Sequence, residues 1–581
     1  MGARVVPFGW HEIRWVLAMR VASALTLALI TSACSSSSDD APAPSPAATP
    51  PAAEAPKPTN LEKTACRFTV PTSLEGKTYD CYDLVVPENR SQEGSRTIKV
   101  HAIRFRGKPG GTPTIELNGG PGAPSESLAV DLALGNKDSE PMRTVARFLE
   151  FGDYVLVDQR GVGRSIPRLG CTMAELEDYE NGLTKCRTRH QKAGVDLTGY
   201  VTRENADDIH EIMLGLGATK MNLHAISYGS RLALEIFRRH GSSVAGTIID
   251  GVMPAQAKVL SEGDVNYETL FARIFAACAN DSKCNLTYPN LDKAFSDAKK
   301  KLDAEPFVLD GQPYDFLYFV MELEQNLYAD GFAGEVPGRI TRLLKMTQSD
   351  FAAEIKAVAA AEEAHFAEQD KTLAATELGR EVLKRGASDP DPDAAGMAEA
   401  MFQSVVCSDY AQYESIDEAL ALEAKIRPEL RNDDSVYAVF DACKGWPTRP
   451  KADDVFAPVA SDLPVLAVAG VFDPVTPPTW RDLAASTLSK SQKATMGGGA
   501  HGALDPCGMG IKMGFLGAPE APVDAACAAA QTIQFVYDAP KNLNRRALQR
   551  AVTKAPLAIS PALMRARFGA KSKLHLIPRA R

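Results

Sequence analysis

Short apolar, β-branched runs bounded by glycine and separated by helical stretches constrain this chain more than any other feature. Ile98–Phe105, Thr114–Leu117, Tyr154–Asp158, Met221–Ile226 and Thr247–Asp250 read as buried strands. Between them, Arg203–Leu216 and Arg231–His240 repeat their apolar residues at the period of a helix. Strands alternating with helices imply an α/β fold, a mostly parallel sheet with helices on both faces. From about residue 254 the pattern changes to long amphipathic stretches rich in Ala, Glu and Lys, such as Tyr267–Ala279, Leu291–Leu302 and Phe351–Gln369. Pro464–Gly470 then returns as an apolar strand. The expectation is a sheet begun in residues 61–253, interrupted by a separate helical cap over 254–455, and completed in 456–540. No internal repeat is visible.

The amino terminus has its own logic. Arg14 and Arg20 flank the apolar run Val21–Ile30, and the small residues Thr31, Ser32 and Ala33 precede Cys34. This reads as an export signal. The run is short for a bilayer core of roughly 30 Å, and no other segment reaches the roughly 20 apolar residues a spanning helix needs. Small residues before a cysteine resemble the bacterial lipoprotein cleavage box, which implies a segment 1–34 whose Cys34 is lipidated, although Thr31 departs from the usual leucine. The Ser-, Pro- and Ala-rich stretch 35–60 suits a tether and cannot pack a core. A plain secretory signal with an incidental thiol is the alternative. The expected location is the periplasm or another extracytoplasmic face, anchored to a membrane through Cys34.

The chain has 11 cysteines. The ten after Cys34 fall into neighbours along the sequence: Cys66 and Cys81, Cys171 and Cys186, Cys278 and Cys284, Cys407 and Cys443, Cys507 and Cys527. An even count in an exported chain suits disulfides, although the sequence leaves their connectivity open. No C-x-x-C pair or His/Cys cluster suggests zinc, so no metal is expected. A formal charge of −9 argues against nucleic acid as a partner. Residues 541–581 form a basic tail without Asp or Glu, read as a solvated helix and loose end, or secondarily as a contact for an anionic membrane.

A serine hydroxyl is a poor nucleophile at neutral pH and needs a base, an orienting acid and donors for the developing oxyanion. The strand Met221–Ile226, the turn Ala225-Ile226-Ser227-Tyr228-Gly229 and the helix that follows make a strand–turn–helix with Ser227 at its apex. Where a serine sits on such an elbow, the acid and then the histidine follow it in the chain. Of nine histidines only His501 and His575 lie beyond the strand Pro464–Gly470. His575 falls in the basic tail, whereas His501 sits in the loop Gly497-Gly498-Gly499-Ala500-His501-Gly502, which reads as flexible. Asp473, just past the strand, is the matching acid. Asp505 is the alternative and would break the chain order. Oxyanion donors are expected from the Tyr228 N–H and from Asn118-Gly119-Gly120-Pro121-Gly122, where Gly120 is the assignment and Gly119 the alternative, since Pro121 has no N–H.

These motifs, with Asp158-Gln159-Arg160-Gly161-Val162-Gly163-Arg164-Ser165 and Asp473-Pro474-Val475-Thr476-Pro477, resemble the prolyl aminopeptidase group of α/β-hydrolases, and within it the tripeptidyl aminopeptidase branch of exported bacterial enzymes. The likeness spans roughly residues 61–530, with the helical insertion matching only in kind. Asn118 stands where that group usually has histidine, and Ala225 where the elbow usually has glycine. The resemblance implies an α/β-hydrolase fold and a serine peptidase that releases residues from the amino end of short peptides, with no cofactor. The segment from Asp158 to Gly161 reads as a turn bracing the oxyanion loop.

An aminopeptidase needs a group for the substrate ammonium, and an anionic side chain from the cap would serve. Glu322 and Glu324 lie on the helical stretch Tyr314–Tyr328, and Asp409 follows Cys407. An esterase or lipase using the same triad, and a catalytically silent peptide-binding lipoprotein, are the rival readings. Oligomeric state is open.

Overall fold

The computed structural model describes residues 60–537, apart from 136–145, 177, 179–180 and 310–311. The expected signal segment, Cys34, the tether up to residue 59 and the basic tail with His575 lie outside the described residues.

One sheet of nine strands runs in the order β1-β2-β3-β5-β4-β6-β7-β10-β11. Its strands are β1 (Leu61–Thr64), β2 (Tyr79–Pro87), β3 (Thr97–Phe105), β4 (Thr114–Leu117), β5 (Tyr154–Val157), β6 (Met221–Ile226), β7 (Val244–Asp250), β10 (Val465–Gly470) and β11 (Ser491–Met496). The remaining two, β8 (Phe307–Leu309) and β9 (Gln312–Tyr314), form a small ladder within the helical segment. The pairings of β4 with β5, β4 with β6, β6 with β7, β7 with β10 and β10 with β11 are parallel. Those of β1 with β2, β2 with β3 and β3 with β5 are antiparallel. This is an α/β-hydrolase fold.

Parallel strands are covered on both faces, so alternate residues of one strand must serve different layers. They do: Val155 and Val157 of β5 join Ile209, Ile212, Leu232 and Ile236, while Tyr154 and Leu156 turn to Phe148, Met509 and Phe515 on the other face. Val465 and Ala467 of β10 alternate with Leu466 and Val468 in the same way. Such strands carry continuous apolar runs, which is why they were legible. The first two strands were not, because β2 mixes apolar residues with Asp80 and Asp83. Those acids are buried and compensated: Asp80 meets Lys63 and Arg106, and Asp83 meets Arg67 and the ring of His101.

The chain leaves the sheet after Asp250 and rejoins it at Val465. Between lie the helices Gly263–Asn280, Leu291–Ala304, Phe316–Asn326 and Gln348–Ala374, among others. Phe271, Phe275, Phe295, Leu323 and Ile340 make a core of their own there. The insertion is less separate than its sequence suggested. The helix Glu399–Val405 is buried on all sides, so it cannot sit on a surface. Its Met401 and Phe402 pack with Val162, Leu169 and Tyr228 of the sheet domain. Arg164 adds a polar tie, pairing with Glu126 at 2.9 Å and with Asp389 at 2.5 Å.

Five disulfides join Cys66 to Cys81, Cys171 to Cys186, Cys278 to Cys284, Cys407 to Cys443 and Cys507 to Cys527. They are consistent with an exported protein. Among the described residues no helix is long and apolar enough to cross a membrane.

Candidate active site

Because β5 pairs on the outer side of β4, the carboxyl ends of β4 and β6 lie side by side. Leu117 is in register with Ala225, so the glycine loop after β4 and the serine turn after β6 leave the sheet together. Crevices of open α/β sheets form at such reversals of strand order.

Ser227 has φ 57° and ψ −128°, a left-handed conformation costly for a residue with a side chain. The helix Tyr228–His240 begins at once, and its second residue has to be glycine: a side-chain carbon on Gly229 would stand 1.8 Å from the Leu117 carbonyl oxygen. Tight contact between elbow and β4 therefore sets the local sequence. The strand side asks less. Ala225 is fully buried in β6, so a methyl group fits where the related motif has glycine.

Asp473 and His501 form the second half of the site. Asp473 Oδ1 accepts the N–H groups of Val475 at 2.9 Å and Thr476 at 2.8 Å. Its Oδ2 lies 2.8 Å from His501 Nδ1 and accepts the Thr476 hydroxyl at 2.7 Å. Both residues are buried. Nε2 of His501 has no hydrogen-bond partner among the described residues, so the nitrogen opposite the acid is left for another group. The imidazole is close to the elbow: the Ser227 N–H donates to the Asp250 carbonyl at 2.9 Å, and a side-chain carbon on the adjoining Gly251 would be 3.0 Å from His501 Cε1. A carbon on Gly502 would meet Ile226 at 2.7 Å. Asp505 serves elsewhere, capping the helix Pro506–Gly517 through the Gly508 N–H at 2.9 Å and accepting from Gln531 at 2.7 Å.

In the glycine loop the Gly119 N–H donates to the Asn118 side chain at 2.9 Å, whereas the N–H groups of Gly120 and Tyr228 have no partner among the described residues. Asn118 closes the loop through its amide, which donates to Pro124 at 3.0 Å. The turn after β5 braces it further. Gln159 donates to the Asn118 carbonyl at 3.1 Å, and buried Asp158 accepts the N–H groups of Ser125 and Arg164 at 2.8 and 2.7 Å. Burial pushes the Asp158 carboxyl up to about 7.

Three contacts from the insertion escaped sequence reasoning. The ring of Tyr328 meets His501 edge-on at 5.3 Å between centroids, and Asp330 Oδ1 accepts the Ala500 N–H at 2.9 Å. Arg273 donates to the Val471 carbonyl at 3.2 Å, beside the acid. The histidine loop is thus held where the sequence suggested flexibility, with the Phe472 N–H also donating to the Gly499 carbonyl at 2.9 Å. Nothing in the local pattern of Tyr328 or Asp330 marks them, because the loop they touch is some 170 positions away.

The three acids expected for an ammonium are placed differently. Glu322 accepts from Tyr314 at 2.5 Å and pairs with Arg339 at 2.8 Å. Buried Asp409 accepts the N–H and hydroxyl of Thr202 at 2.8 and 2.5 Å, and burial pushes its carboxyl up. Glu324 lines a cavity of about 190 Å³ with Asp264, Lys299, Asp315 and Glu429. That lining includes none of Ser227, Asp473 and His501.

The family model described as "TAP-like protein" matches residues 429–527, a span holding Asp473 and His501. The YuaR protein of Escherichia coli (strain K12) is 26% identical over 192 residues, 30% of this chain and 35% of that protein. The serine protease Hip1 of Mycobacterium tuberculosis (strain ATCC 25618 / H37Rv) is 26% identical over 250 residues, 39% of this chain and 46% of that protein. The matches therefore span less than half the length of these curated relatives. Among solved structures, the esterase RhEst1 from Rhodococcus sp. ECU1013 aligns over 72% of this chain and 95% of its own at 14% identity and a TM-score of 0.31, a likeness too loose to add to the topology. The chain thus has the strand order of an α/β-hydrolase and is similar to TAP-like proteins over residues 429–527.

Proposed function

We propose that the protein is an exported serine hydrolase of the aminopeptidase type. Ser227 attacks the substrate carbonyl, His501 takes its proton at Nε2 and returns it to the leaving amine, and Asp473 holds the imidazole with its proton on Nδ1. The N–H groups of Gly120 and Tyr228 stabilise the oxyanion. Water then hydrolyses the acyl-enzyme. Carrying this reading are a left-handed Ser227 on the elbow and a buried Asp473–His501 pair whose Nε2 has no partner among the described residues. No step calls for a cofactor.

Restriction to short peptides is supported by the helical insertion, whose Tyr328 and Asp330 reach the histidine loop. For the substrate ammonium Glu322, Glu324 and Asp409 stand as the candidates: Glu322 pairs with Arg339, Asp409 accepts from Thr202, and Glu324 lines a cavity. Export, with an anchor at lipidated Cys34, is supported by the signal-like amino terminus and the five disulfides. Mass spectrometry of the mature protein should find an acylated amino-terminal Cys34.

The deciding experiment compares aminoacyl and tripeptidyl arylamides, their amino-acetylated forms and short-chain aryl esters. Free-amine arylamides should be preferred, acetylation should lower kcat/KM at least about tenfold, as for a lost charge-assisted hydrogen bond, and one of Glu322→Gln, Glu324→Gln and Asp409→Asn should erase most of that difference. Ser227→Ala should abolish turnover and fluorophosphonate labelling in a folded protein. Equal cleavage of free and acetylated peptides would mark an endopeptidase, and a preference for esters an esterase.

A further inference from the structure

A second set of buried polar side chains lies behind the loops that carry Ser227 and His501. Lys512, on the helix Pro506–Gly517, is fully buried. Its ammonium stands 2.7 Å from Asp250 Oδ2 and 3.3 Å from His224 Nε2. His224 Nδ1 is 2.5 Å from Glu116 Oε2, which also accepts the Tyr154 hydroxyl. An ammonium offers only donors, so His224 Nε2 accepts and the ring proton sits on Nδ1, donating to Glu116. The result is an unbroken chain from Asp250 through Lys512 and His224 to Glu116 and Tyr154.

Each strand in this chain leads into the site. Glu116 lies two residues before Asn118, His224 three before Ser227, and Asp250 ends β7. Asp250 reaches furthest. Its main-chain carbonyl accepts the Ser227 N–H at 2.9 Å, and its Oδ2 accepts the Ala503 N–H, two residues past His501, at 2.7 Å. One residue therefore grips the backbone of both the serine turn and the histidine loop. Burial opposes ionisation of Asp250, but Lys512 together with the Ala503 N–H and His224 holds the carboxyl below its ordinary range. Without Lys512 the carboxylate would be a buried charge with no counterion, the costly arrangement.

We propose that Asp250 is a positioning residue for both Ser227 and His501, and that buried Lys512 holds it in that role; the inference rests on the serine-hydrolase reading above. Both side chains are fully buried, so their loss should act on the chemical step and spare binding.

The test uses the full mature protein as Asp250→Asn, Lys512→Met and the double variant, with kcat and KM on the best arylamide and amide hydrogen exchange of peptides covering 498–504. Each single variant should lower kcat at least tenfold with KM within threefold, and speed exchange at 498–504 while leaving 263–280 unchanged. The double variant removes the Asp250 carboxylate together with its counterion, and its asparagine can still accept from Ala503, so kcat should recover at least threefold over Lys512→Met while staying at least threefold below wild type. A folded Lys512→Met with kcat within twofold of wild type, a loss confined to KM, or a double variant no better than the product of the singles would overturn the proposal. Should the singles fail to fold, the double decides: reduced kcat, unchanged KM and faster exchange at 498–504 support it, whereas wild-type values or an unfolded double overturn it. A wild-type protein without turnover or labelling refutes the hydrolase reading itself, and the exchange at 498–504 still reports whether Asp250 holds the loop.

Discussion

Replacing Asp473 by asparagine keeps the shape of the side chain and changes which of its atoms can accept. Oδ1 receives two main-chain donors, Val475 and Thr476, at 2.9 and 2.8 Å. An asparagine oxygen must take that place, which turns its NH₂ toward His501 Nδ1. The ring then accepts at Nδ1 and carries its proton on Nε2, where it cannot receive the proton of Ser227. The opposite flip restores the productive tautomer but sets the NH₂ against both main-chain donors. At about 1–3 kcal/mol for each buried unsatisfied donor, that flip costs about 2–6 kcal/mol. Between a thirtieth and less than a ten-thousandth of molecules would hold it, on the order of 1.4 kcal/mol per decade. Loss of the carboxylate that stabilises the imidazolium adds to this, and Asp473→Asn should lower kcat on the order of 10⁴-fold, as in other triads. Stopped-assay kinetics on the best arylamide, with Asp505→Asn as comparison, measures it. Asparagine caps a helix as well as aspartate does, so Asp505→Asn should stay within about threefold of wild type. If Asp473→Asn kept more than about a tenth of kcat, or Asp505→Asn cost more, the assignment of the acid would be refuted.

Asp330→Ala strips the Ala500 N–H of its charged acceptor; at about 1.5–3 kcal/mol for such a bond, kcat should fall roughly tenfold, and an unchanged value in steady-state kinetics would show that the insertion does not hold the base. Glu423 is buried, and burial, followed by the neighbouring Asp264 carboxylate, pushes it up to about 7. Because its folded value lies above the unfolded one near 4.5, the fold keeps a proton that the unfolded chain has released, so stability falls as pH rises from about 4.5 to about 7 and levels off above, with a slope of at most about 1.4 kcal/mol per pH unit from this group. Glu423→Gln should flatten that part of the thermal-denaturation profile, and an unaltered slope would assign it to other groups.

Reading the chain as a sequence was most informative where structure is dictated locally. Parallel strands must be apolar on both faces, so β4 to β7 and β10 stand out as continuous runs. Ser227 could be found because the elbow compels a strand, a small residue and a helix within a few positions. Asp473 and His501 stood out as candidates through chain order, with Asp505 left as the alternative acid. The amino-terminal strands were not legible, since the charges of β2 are neutralised by Lys63, Arg67, His101 and Arg106 from other segments.

What the tertiary structure alone decided lies in contacts between distant parts of the chain. Which acid is free to meet His501 could not be settled from spacing; it follows from Asp505 being taken by the Gly508 N–H and Gln531 while Asp473 points Oδ2 at the ring. Asn118 turns its side chain back on the Gly119 N–H, while the Gly120 N–H has no partner among the described residues. The bonds of Asp250 to the backbone of both loops, its pairing with Lys512, and the bond from Ala500 to Asp330 join residues separated by as many as 262 positions, as between Lys512 and Asp250. Local propensity and periodicity report only on a residue's neighbours along the chain, whereas a hydrogen bond between buried groups depends on where packing has brought two backbones. The first kind of information sets the strands and the elbow, and the second sets the protonation and aim of the groups placed on them.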